Sequence, residues 1–188
     1  MTTTAPANTT NTKATWTIDA SHAEVGFSVR HLMISTVRGR FGGVSGTAVI
    51  DERDPSASKV DVTIDVASID TRQEQRDAHL RSPDFFDVAN HPTMHFMSTR
   101  IEGDVTSEFK LVGNLTIRGT TREVTLNVTA EGRGRDPWGN DRAGFSATGK
   151  INRGEWGLTW NQVLEAGGVT VSDEVKLSID AELVRQAA

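Results

Sequence analysis

The sequence predicts an all-β fold: an extended antiparallel barrel of eight or nine strands with one short helical insertion covering an end. Three observations lead there. Hydrophobic residues recur with period two, most plainly over Lys59–Val66, where Val60, Val62, Ile64 and Val66 alternate with Asp61, Thr63 and Asp65. The links between such stretches are too short for the crossovers that parallel strands require. Glycines recur within and beside the strands. A sandwich fits the alternation as well, but long strands and glycines that relieve the corners of a curved sheet favour the closed barrel. Long strands in that number enclose a volume that side chains need not fill, so an apolar cavity is plausible.

Residues 1–13 offer little to bury and read as a disordered tail, ahead of a single domain over 14–186. Trp16 and Ile18 begin the first strand, and Val25, Phe27 and Val29 share one face of the next stretch. Glycines 39, 42, 43 and 46 suggest bends before Ala48 and Ile50, and Asp54-Pro55-Ser56 is a turn. Thr71–Phe96 breaks the pattern. Thr71 with Glu74 fits a capping box opening a helix, with Arg72, Arg76 and His79 along one side. Ser82-Pro83 stops that helix and starts a second short one carrying Phe85 and Phe86. Such an insertion covers an apolar interior or plugs the end of a packed barrel. Thr93–Ile101 then reads as a strand with two mixed faces, so the inward face of Phe96 is assigned by assumption. Alternation resumes with Phe109, Leu111, Leu115 and Ile117, then Val124, Leu126 and Val128, then Phe145 and Ala147, and last Val175, Leu177 and Ile179.

Lys and Arg number 20 against 25 Asp and Glu, a formal charge of -5 with no basic stripe or tail. That balance argues against nucleic acid and against an anionic membrane surface as partners. Cysteine is absent, which removes disulfides, thiolate nucleophiles and cysteine-ligated metals. No apolar run is long enough to span a bilayer, and the opening MTTTAPANTTNT has neither a basic nor an apolar signal region, so the expected compartment is cytoplasmic. A homodimer is allowed by the habits of soluble oligomers, with no residue marking it.

Few polar groups suggest chemistry. Ser21 and His22 are adjacent, and on a strand adjacent side chains point to opposite faces, which argues against a nucleophile–base pair. His31, His79, His91 and His95 are the candidates for a metal-dependent enzyme, set against the commoner role of histidine as a hydrogen-bonding group. Trp138, Trp156 and Trp160 lie in glycine-rich connections and read as caps of the barrel ends ahead of ligand contacts.

Four blocks resemble the YceI-like family of polyisoprenoid-binding proteins. They are WTIDASHAEVGFSVRHLMISTVRGRF from Trp16, the Arg76-Asp77-x-His79-Leu80 run leading to Ser82-Pro83-x-Phe85-Phe86, GNLTIRGTTREVTL from Gly113, and INRGEWGL with VSDEVKL from Ile151. Ala23 stands where the family usually has Ser, and many relatives carry a signal that this chain lacks. The resemblance implies an eight-stranded, lipocalin-like barrel whose interior binds a long-chain isoprenoid lipid or isoprenoid quinone, with no cofactor and no catalysis. A structural or interaction protein with a filled barrel is the other alternative. The implied lining is Phe27, Val29, Val62, Ile64, Phe85, Phe96, Phe109, Leu111, Leu126, Phe145 and Leu177, with Arg30, His31, Arg76 and His79 at the headgroup rim.

Overall fold

The computed structural model describes residues 13–51, 53–163 and 168–187. The expected tail over residues 1–12 lies outside them; Lys13, assigned to the tail, is the first residue of a strand and pairs with Asp51. Ten strands form one sheet: β1 Lys13–His31, β2 Ser35–Phe41, β3 Val44–Asp51, β4 Lys59–Asp65, β5 Ile69–Asp70, β6 Thr93–Gly103, β7 Glu108–Ile117, β8 Thr120–Arg135, β9 Asp141–Asn152 and β10 Glu174–Arg185. Eight of them close an antiparallel ring in the order β1-β3-β4-β6-β7-β8-β9-β10, because β10 returns to pair with β1. Strand β1 changes partner along its length. Lys13–Thr17 pair with β3, whereas Val25–His31 pair with β2, which carries the short β5 on its other side.

Two bulges account for places where the sequence pattern blurs. In β1, Trp16 and Ile18 are buried at even positions, and after a register shift between Ile18 and Ala23 the inward set continues at odd positions. An extra residue in one strand reverses which face the following side chains take. The same happens in β6 between Ser98 and Arg100: Met94, Phe96 and Ser98 are buried before it, and Ile101 faces inward after it. Hence the two mixed faces of Thr93–Ile101. Gly39 of β2 and Gly113 of β7 have a different task. A Cβ at either would run into a phenyl ring, that of Phe27 or Phe96 respectively, so each ring packs directly against the glycine.

Among the described residues one α-helix, α1, forms, over Glu74–Arg81. Its N-cap is Gln73, whose side chain accepts from the Arg76 amide, and not Thr71. The reason lies in Arg72, which turns through a left-handed conformation at φ 62° with its amide bonded to Asp70, and so delays the helix. Thr71 is freed to pack inward. Nor does Ser82-Pro83 open a second helix. Asp87 stands at φ 51°, and the Phe85 and Asp87 amides both return to the Ser82 carbonyl, giving a compact turn that aims Phe85 and Phe86 under α1. No helix among the described residues is long and apolar enough to cross a membrane.

Candidate ligand-binding cavity

The ring is not filled. A cavity of about 480 Å³ runs inside it, within the range of about 300–1,000 Å³ common to small-molecule sites. Strand alternation supplies the wall: Phe27 and Val29 from β1, Val62 and Ile64 from β4, Phe96 from β6, Phe109 and Leu111 from β7, Leu126 from β8, Phe145 from β9 and Leu177 from β10. Phe85 joins them from the turn after α1. All eleven residues expected in the lining are there. Phe41, Phe86 and Trp160 were not expected, yet the rings of Phe27, Phe41 and Phe86 form a chain with centroids 5.6 and 5.7 Å apart. The Phe86 position was legible as half of a double aromatic; Trp160 carried no periodic signal, since it lies on no strand.

Polar groups gather where α1 meets the barrel. His31, Arg76 and His79 line the cavity, but Arg30 does not. With Val29 and His31 facing inward, Arg30 must face out, and its guanidinium donates to Thr36 Oγ1 (3.1 Å) and to the Met33 carbonyl (2.7 Å). Arg76 is the distinctive group. Its Nε donates to Thr71 Oγ1 (2.7 Å) and its Nη2 to the Thr71 carbonyl (2.8 Å), and it makes no ion pair among the described residues. Buried Asp77 holds Thr71 in place by accepting from its amide (2.9 Å) and its hydroxyl (2.5 Å). His79 Nε2 meets Asp84 Oδ2 at 2.9 Å, and its ring stands edge-on to Phe85 (5.1 Å) and to Trp160 (4.7 Å). A polar group placed beside α1 would meet the Arg76 guanidinium and the His79 imidazole in a corner walled by Phe85 and Trp160.

Sequence reasoning gave no role to Arg153, which fixes the segment closing this end. The residue is 6% exposed, and its guanidinium donates to the carbonyls of Leu158 (2.7 Å), Trp160 (2.9 Å) and Ser172 (3.1 Å), with Asp173 3.2 Å away. Burial pushes its pKa down, and Asp173 opposes that shift. A fork of five donors suits several carbonyls at once, which a lysine could not serve. The three connection tryptophans have three fates: Trp160 lines the cavity, Trp156 is buried with Nε1 donating to the Leu115 carbonyl (3.0 Å), and Trp138 is 81% exposed on a turn.

One further expectation needs correction, and one alternative can be placed. Ser21 and His22 do meet, at 3.1 Å, because they sit in the β1 bulge where strict alternation lapses. They still form no catalytic relay: Ser21 Oγ and Asp19 Oδ2 both contact the same ring atom, His22 Nδ1, so a proton cannot pass through the imidazole from one to the other. The histidines weighed as an alternative metal site do not converge among the described residues. His95 faces out against Asp61 (2.7 Å), while His31 and His79 face the cavity. Among the described residues only Asp19, His22 and Glu182 are grouped closely enough to hold an ion, and the Arg142 guanidinium already donates to both carboxylates.

The YceI-like domain profile matches residues 16–183. Protein YceI of Salmonella newport (strain SL254) is 44% identical over 170 residues, covering 89% of this chain and 84% of its own. The chain belongs to the YceI-like family. Its barrel superposes on the crystal structure of Burkholderia cenocepacia BcnA with a TM-score of 0.76 at 23% identity, covering 88% of this chain and 98% of that one. A polyisoprenoid binding domain from Saccharophagus degradans, implicated in plant cell wall breakdown, gives a TM-score of 0.64 at 16% identity, with 91% and 98% covered. The YceI-like fold here is thus the lipocalin-like closed barrel of eight strands with one short helix at an end.

Proposed function

We propose that this YceI-like protein binds, and carries or stores, a long-chain isoprenoid lipid or isoprenoid quinone, without catalysing a reaction on it. The observation that supports the proposal most is an apolar cavity along the barrel with the Arg76 guanidinium, which makes no ion pair among the described residues, at one end. The hydrocarbon lies among Phe27, Val62, Phe96, Leu111 and Leu126, and the oxygen-bearing headgroup meets Arg76, His79 and His31. Burial of each methylene contributes about 0.8 kcal/mol, so attraction spread along the chain dominates and the polar end sets orientation. The polyisoprenoid binding named for the Saccharophagus degradans relative is in keeping with this ligand class.

The test is delipidation followed by reloading. Protein stripped with organic solvent and refolded is expected to take up a polyprenol or a prenylated quinone in equimolar amount, read by native mass spectrometry. Folded protein that takes up neither would leave a barrel with a structural or interaction role, and the carrier proposal would fail.

A further inference from the structure

The turn joining β1 to β2 is built against ordinary preference. Leu32 and Met33 stand at φ 51° and 58°, a left-handed region that suits Asn and Gly in tight hairpins and that apolar L side chains rarely adopt. The turn is held there by the Leu32 amide, which donates to the Thr170 carbonyl (2.9 Å), and by the Arg30 guanidinium on the Met33 carbonyl. The result is exposure of apolar groups: Met33 is 57% and Ile34 78% exposed, and Val163 (83%) and Val169 (37%) stand on the neighbouring segment. These are four of the six exposed large hydrophobics among the described residues, so the apolar surface is concentrated at one end of the barrel. It is also continuous with the cavity, since His31, Thr170 and Val171, interleaved with these residues, line it.

Behind the turn runs a basic row. Arg38 of β2 and Lys176 of β10 both stand opposite Ser28, Lys150 of β9 stands opposite Lys176, and Arg30 lies two residues nearer the tip. All four are exposed. Arg30, Arg38 and Lys176 make no ion pair among the described residues; Lys150 reaches Glu174 at 3.4 Å, and Asp173 is held by Arg153. Each of the four strands contributes one residue, which is why the linear sequence shows no basic stripe and argued against an anionic membrane.

We infer that this end of the barrel docks on an anionic lipid bilayer, with Met33 and Ile34 entering the interface and the basic row meeting the headgroups, and that the cavity exchanges its isoprenoid there. Apolar side chains at a tip with cations set just behind are the arrangement that binds membrane surfaces without spanning them. The exchange step rests on the ligand proposed above; the docking step does not.

The experiment is sedimentation of the full chain with phosphatidylcholine vesicles, with and without phosphatidylglycerol, alongside loading with a prenylated quinone from detergent micelles. The wild type should bind the anionic vesicles, less so at high salt. Met33→Asp with Ile34→Asp should weaken vesicle binding at least about tenfold, and Arg38→Glu with Lys176→Glu by about the same, while loading from micelles stays as in the wild type. Trp138→Ala, on a turn at the other end, should change neither. Loading from micelles with no vesicle binding would overturn the docking. So would vesicle binding that ignores the tip and falls with Trp138→Ala, or a dimer that the tip substitutions dissociate in a protein that binds no vesicle. Failure to load from micelles would overturn the ligand and the exchange step, with vesicle binding still deciding the docking.

Discussion

Arg142 and Arg76 stand toward opposite ends of the barrel, and the structure treats their charges in opposite ways. Arg142 donates to Asp136 (2.8 Å), Asp19 (2.7 Å) and Glu182, and these three, Asp136 first, raise its pKa. Among the described residues, the Arg76 guanidinium faces the cavity with the two oxygens of Thr71 as its hydrogen-bond partners. A cation surrounded by carboxylates is spent on holding strands β1, β9 and β10 and the β8–β9 turn together. A cation supported by a neutral residue keeps its charge available to whatever enters. The difference separates a structural arginine from a binding one without reference to either residue's position in the sequence.

The sharpest way to break the comparison is to add a third cation with no support at all. Leu111→Lys puts an ammonium into the apolar wall, where Leu111 is now buried, and should weaken isoprenoid binding by about a hundredfold or more. Titration of the folded variant with a prenylated quinone reads it; if this variant binds normally while Arg76→Ala binds nothing, the ligand is held at the rim and not along the barrel. Arg76→Ala comes next. It should cost about tenfold for a headgroup-bearing ligand, as for one charge-assisted contact, and nothing for the bare hydrocarbon. Equal losses for the two ligands would mean that Arg76 acts on the fold. Leu126→Ala should reduce binding only a few-fold, since the attraction is distributed, and should cost about 2 kcal/mol of stability by urea denaturation, the low end for such truncations, because its side chain already borders a void.

Arg142→Met should leave ligand binding unchanged and alter the response to acid. Asp19 is held below the usual carboxylate range, by the Ser21 hydroxyl first and then by Arg142; Asp136 likewise, by the Asn140 side chain first and then by Arg142. A carboxyl whose folded pKa is depressed contributes stability that is complete above its unfolded value, about 3.9, and is lost as pH falls toward the folded value. The variant should therefore be less stable than the wild type at neutral pH, with the gap closing as the pH drops below about 4. Urea midpoints over a pH series measure this, and a gap that stays constant in acid would show that the network contributes nothing through its charges.

Much of this was legible in the sequence because period-two burial is a local property. Each lining residue on a strand, from Phe27 to Leu177, could be assigned from its neighbours two positions away, except Phe96, whose strand is thrown out of phase by the bulge between Ser98 and Arg100. Errors collect where an interaction between distant segments overrides the local rule. The bulge in β1 brings Ser21 to His22, and a left-handed Arg72 moves the helix cap from Thr71 to Gln73. Arg30 was misplaced for a simpler reason: as a cation beside His31 it looked like part of a polar rim, although the alternation that placed Val29 inward had already turned it outward. Arg153 could not have been found, because its role is to serve backbone carbonyls of an irregular segment, at Leu158, Trp160 and Ser172, which carry no side-chain or periodic signal.

The pairing of β1 with β10 sets the order in which the barrel can assemble. Trp16 lies beside Arg185, whereas β6 through β10 pair as successive neighbours along the chain. Contacts between remote segments are the slow ones to form. On a ribosome, one edge of β1 waits through the synthesis of nearly all the other strands before its partner emerges, and until then the future lining is one face of an open, curled sheet. The seam shuts last, and the compartment for the ligand comes into being only when it does.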